Sequence, residues 1–221
     1  MTQPASLASL ASAARETYLS FFTGMVENTV EPGVEGMSEV GVDLDDAAFM
    51  GGLYRFDLVL RLPDDRAVSL DFAMEVPHGQ DLPSFAERLG GLTLHVFRLR
   101  WDDVVVHHDL GELPETALEA WFERWFDVEN ERREDDETFP ADQLHSAAMK
   151  PGSVAVDFGT APAAALLELV SLLEAQGARS VQIDASRDVE PDEDDETIEE
   201  VELDDDEGLM ALVRRRGPLL N

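Results

Sequence analysis

Asp57 and Asp71 stand on two neighbouring stretches of alternating apolar and polar residues. Two carboxylates brought together on adjacent strands can hold a divalent cation that activates water. With Glu75 they form the acidic set of a metal-dependent hydrolase or nuclease. His95 and His108 are a second pair that two imidazoles could turn into a metal site. No third ligand follows at suitable spacing, so histidines satisfied within the sheet are the expected reading. Asp157 ends a short apolar strand, where α/β units place ligands. The Gly159-Thr160-Ala161-Pro162 turn after it lacks the glycines and lysine of a phosphate loop, and no cofactor is called for. The last chemistry-bearing group is an acidic run containing Asp192, Glu193, Asp194, Asp195, Glu196, Glu199, Glu200 and Glu202. It has no glycine turn of the kind a calcium loop requires, and its expected use is electrostatic attraction of a basic partner.

These residues need elements to position them. Leu7, Leu10, Ala14, Tyr18, Phe21, Phe22 and Met25 recur at helical spacing and predict a helix over about 4–29. Alternation over Tyr54–Leu62 and Val68–Val76 predicts an antiparallel hairpin, with Arg55, Asp57 and Arg61 on its polar face. A short helix is expected over 83–89, closed by Gly90-Gly91. Strands over 92–101 and 104–110 then complete a four-stranded meander, with His95 and His108 on its apolar face. Leu118, Trp121, Phe122, Trp125 and Val128 form the stripe of a helix that covers it. Residues 139–149 read as a short helix. Ser153–Phe158, Ala161–Gln176 and Val181–Asp184 read as a βαβ unit capped at Thr160, followed by the acidic run and a C-terminal helix. The expectation is an α+β fold: an antiparallel meander packed with helices in residues 1–136, then a smaller βαβ-plus-helix unit in 137–221, the two able to share one core.

The hairpin register decides what Asp57 faces. One register sets it directly against Asp71, whereas a shift of two residues places Arg55 opposite Glu75. Facing carboxylates repel and an Arg–Glu pair attracts, so electrostatics favours the second. The order of helix, meander, helix and strand, with acids at Asp57 and Asp71, loosely resembles the restriction-endonuclease-like nuclease core. That resemblance implies metal-dependent phosphodiester chemistry. The family places a lysine two residues after its second-strand acid, whereas here Phe72 and Ala73 follow Asp71 and the only lysine is Lys150.

Composition narrows the function classes. The formal charge is −32 from 48 acidic and 16 basic residues, which opposes direct binding of nucleic acid or of an anionic membrane. The charge is uneven: residues 186–207 carry fourteen acids and one arginine. No cysteine is present, which removes disulfides and thiolate sites and makes the cytoplasm the expected location. No leader or membrane-spanning segment is read. With no complete catalytic constellation, the leading expectation is an acidic binding protein, such as an inhibitor, immunity protein or specific chaperone, that docks on a basic protein. The alternatives are a structural protein made soluble by its acids and a divergent hydrolase using Asp57 and Asp71.

Overall fold

The computed structural model describes residues 6–43, 50–63, 66–72, 74, 85–129 and 140–185. The fold is α+β, with three helices and one large, mostly antiparallel sheet. Helix α1 spans Leu7–Thr29. Ser6 caps it by accepting from the Ser9 amide, while the Ser9 hydroxyl accepts from the Ser6 amide. This reciprocal pair satisfies two amides that the first turn leaves free. Leu7, Leu10, Ala11, Tyr18 and Phe22 form its buried face, close to the stripe read from the sequence.

Strands β1 (Glu35–Asp43), β2 (Leu53–Arg61) and β3 (Ala67–Leu70) follow. After them come β4 (Phe85–Leu89), β5 (Leu92–Val96), β6 (Val104–His108) and helix α2 (Thr116–Phe126). The chain continues through β7 (Ser146–Lys150), β8 (Ser153–Asp157), α3 (Ala163–Ala175) and β9 (Ser180–Asp184). The strands lie in the order β1-β2-β7-β8-β6-β9-β5-β4, with β3 also paired to β2. Strands from both halves of the chain thus share one sheet. Side chains from all three helices meet those of β5, β6, β8 and β9 in a single core that includes Trp101, Trp121, Phe122 and Phe158.

The pairing differs from a meander. Strand β5 joins β4 and β9, while β6 lies between β8 and β9, so β5 and β6 are not neighbours. Residues 85–89 are a strand and not a helix. Gly90, at φ 55°, makes the hairpin turn between β4 and β5, and a glycine at positive φ serves a hairpin turn as readily as a helix end. Likewise 146–150 form β7, which turns at Pro151-Gly152 to pair with β8; ladder formation there overrides the helix propensity of Ala147, Ala148 and Met149. The βαβ reading holds in its order. Strands β8 and β9 each run antiparallel to β6 and are therefore parallel to one another, with β6 between them. The expected C-terminal helix lies outside the described residues.

Candidate functional site

The β2–β3 register is the one that electrostatics alone disfavours. Leu58 faces Leu70 and Arg61 faces Ala67, which sets Asp57 against Asp71 just beyond the ladder. Side chain and backbone interlock there: the Phe72 amide donates to Asp57 Oδ2 at 2.5 Å, and the Asp57 amide reaches Asp71 Oδ1 at 3.5 Å. On the other side of β2, Ser38 faces Leu58 and Val40 faces Phe56, so Glu39 stands opposite Asp57. Three carboxylates therefore cross the sheet in one row. Glu39 adopts φ 56°, a left-handed conformation that costs a non-glycine residue about 1 kcal/mol or more.

What holds the row together is a histidine that the sequence did not single out. His145 enters β7 fully buried between these acids. Its Nδ1 lies 2.8 Å from Asp57 Oδ1 and its Nε2 lies 3.3 Å from Glu39 Oε1. The first contact is an ion pair set off the N–H axis, so Nδ1 has no well-aligned hydrogen bond. Burial disfavours the imidazolium, but Asp57 and Glu39 outweigh it and raise its pKa to about 10. Burial also pushes Glu39 upward; its bonds to His145, Thr160 and the Ala141 amide prevail, and it is held below the usual carboxylate range. Thr160 donates its hydroxyl to Glu39 and accepts the Gln143 amide at 3.1 Å. It is therefore a bridge within this network, and Pro162 takes the N-cap position of α3. Gly159, at φ 48°, makes room for the imidazole, because a Cβ there would land on the ring.

Arg55 and Asp57 lie on the face read as the polar one, yet they are buried at 0% and 5% exposure. The Arg55 guanidinium donates to the carbonyls of Glu39, Phe126 and Asp127 at 2.6–3.2 Å and lies 4.6 Å from the Phe126 ring centre. Each charge on this face has a partner, so the polar side of β2 can turn inward. Tyr18 on α1 donates to Asp57 Oδ1 at 3.4 Å. Burial, followed by the surrounding carboxylates, keeps this phenol well above its ordinary range.

Asp157 sits at the C-terminal end of β8, as read from the sequence, and its Oδ1 accepts the Gly159 amide at 2.8 Å. Desolvation and the nearby Asp57 push its carboxyl up to about 7 against the opposing pull of His145. Asp71, exposed at the rim, is raised first by partial desolvation and also by Asp57, while a hydrogen bond from Tyr54 acts in the other direction. Chemically, the cluster keeps a cation fixed in the interior and raises the proton affinity of Asp157. It is poorly built to use His145 as a base, since both ring nitrogens face carboxylates.

The remaining expected ligands do not converge. His95 and His108 are separated by β9: His95 pairs with Gln182, and Gln182 with His107. His95 also lies on the face opposite buried Leu92, Leu94 and Val96, stacked on Phe97 at 6.3 Å between ring centres. The irregular stretch after Val96 reverses the alternation, which is how Leu99 and Trp101 become buried. His108 does face inward, its pKa lowered by burial, while His107 is solvated. Among the described residues, no three His, Asp or Glu side chains are arranged to hold a metal ion. Glu75 and the acids Asp192, Glu193, Asp194, Asp195, Glu196, Glu199, Glu200 and Glu202 lie outside the described residues. Among those described, no helix is long and apolar enough to cross a membrane. No protein-family model matches the chain, and neither does any curated protein or solved structure.

Proposed function

We propose that this is an acidic binding protein that docks on a basic protein partner, in the manner of an inhibitor, immunity protein or specific chaperone. The observation that carries the reading is the concentration of fourteen acids against one arginine in residues 186–207, within a chain whose total net charge is −32. Such a field accelerates encounter with a basic surface and selects against acidic competitors. The buried cluster supports the same reading indirectly. Its histidine is committed to two carboxylates, and Asp57 accepts from Phe72 and Tyr18 besides contacting His145, so these two groups are engaged within the protein.

The test is affinity capture from the native host with elution by a salt gradient. Captured proteins should be basic, and association should slow at least about tenfold between low and physiological ionic strength. Replacing Asp192, Glu193, Asp194, Asp195 and Glu196 with their amides in the full chain should remove most of that dependence. A partner held equally well at low and high salt, by the parent and the neutralised chain alike, would overturn the proposal.

A further inference from the structure

The sheet has a weak joint. Strands β1, β2 and β3 form a continuous antiparallel unit, with eight residue pairs between β1 and β2 and four between β2 and β3. The other six strands form an equally continuous unit. Between them the ladder consists of one pair, Tyr54 with Ser146, and the flanking Arg55 amide donates to the His145 carbonyl at 2.8 Å. A backbone joint this short leaves side chains to hold the two units together.

Leu53 and Phe72 pack against the apolar core, and the rest of the joint is a buried polar and charged network. His145 comes from the six-strand side and contacts Glu39 of β1 and Asp57 of β2. Thr160 and the Ala141 amide, from the same side, also bind the Glu39 carboxylate. Arg55 of β2 reaches back to the end of α2 through Phe126 and Asp127. Tyr18 of α1 touches Asp57, Asp71 follows the end of β3, and Asp157 ends β8. We propose that the β1–β2–β3 unit is a separately opening part of the molecule, latched to the rest of the sheet by the His145 contacts with Glu39 and Asp57. When the latch parts, Glu39 and Asp57 meet water, the outer edge of β7 is uncovered, and the six-strand unit with its helices stays folded. The inference concerns the fold and does not depend on partner docking.

Native-state hydrogen exchange on the full chain, in urea well below its unfolding midpoint, tests this directly. Amides in 37–42, 53–60 and 67–70 should exchange through an opening with weaker urea dependence and at least about tenfold faster exchange than amides in 92–96, 104–108 and 180–184. His145→Gln, which removes contacts present only in the closed state, should accelerate both groups, whereas Val106→Ala, inside the unit that stays folded on opening, should accelerate the second group at least about tenfold and leave the first unchanged. If the substituted chain does not fold, the wild-type urea series decides alone. Convergence of both groups on one exchange isotherm in the wild-type chain, or acceleration of both groups by Val106→Ala, would overturn the latch.

Discussion

Removing the imidazole charge while keeping a polar side chain of similar size isolates the contribution of His145 to the whole fold. His145→Gln leaves Glu39 and Asp57 facing each other in the interior without a cation, so stability at pH 7 should fall by about 3–5 kcal/mol in urea unfolding. The pH dependence has three parts. Glu39 is held low, so its contribution is present above its ordinary pKa of 4.5 and is lost as acid protonates it. His145 is raised to about 10, so its contribution is complete below 6.5 and is lost as pH climbs through 10. Asp157 acts in the opposite sense. Its native pKa of about 7 means that ionising it costs stability increasingly between 3.8 and 7. Asp157→Asn should therefore raise the urea midpoint at pH 8 relative to wild type and leave it nearly unchanged at pH 4. The gain at pH 8 should be about 1–3 kcal/mol, since each tenfold change in proton affinity between the folded and unfolded chain is worth about 1.4 kcal/mol.

At the scale of elements, the turn from β8 into α3 matters because Gly159 lets the imidazole approach the backbone. Gly159→Ala adds a methyl where the His145 ring lies and imposes a left-handed conformation on a residue with a Cβ. It should cost about 1–3 kcal/mol, with the loss concentrated in the joint between β2 and β7. Gly111→Ala, where nothing lies within 4 Å of the added atom, should fall within about 0.5 kcal/mol of wild type and serves as the control. Thermal unfolding of the two variants side by side checks both. Helix α2 offers a second contrast. Trp121 Nε1 donates to the Ala165 carbonyl at 2.9 Å, and Trp125 Nε1 donates to Glu168 at 2.9 Å, so these aromatics dock α2 on α3 with direction as well as area. Trp121→Phe keeps most of the burial and loses the bond, leaving the Ala165 carbonyl to find another donor; about 1 kcal/mol should be lost.

Over the whole molecule, charge and fold are separable. The described core is apolar and extensive, running from Leu7 to Ala185, and its ionic cluster is internally paired. The chain should consequently stay folded in dilute buffer, where a protein that requires high salt to screen its acids would unfold. Far-ultraviolet circular dichroism and a cooperative melt at about 10 mM ionic strength decide this, and loss of the cooperative transition there would favour solubility in a salty interior as the reason for the acids.

Local chemistry was legible wherever it was decided locally. Residues Leu7–Thr29 and Thr116–Phe126 announce their helices by periodicity, and the chain order β8, α3, β9 follows from apolar runs between turn residues. The α+β class follows from these elements together. What a chain cannot display along its length is which strands become neighbours. The inference that β5 and β6 pair failed because the apolar alternation of a strand records that one side is buried, not against whom. The reading of the Arg55 and Asp57 side of the hairpin as the unburied one failed for a related reason. A charged residue reads as exposed until its partner is known, and the partners here, Glu39, Phe126 and His145, lie 16 positions away or more. Sequence thus determined the strongly periodic elements, because their formation depends on neighbours along the chain, whereas 85–89 and 146–150 are strands through partners across the sheet. Only the tertiary structure decided the ionic cluster, because its stability comes from desolvated charges that meet solely in the folded sheet.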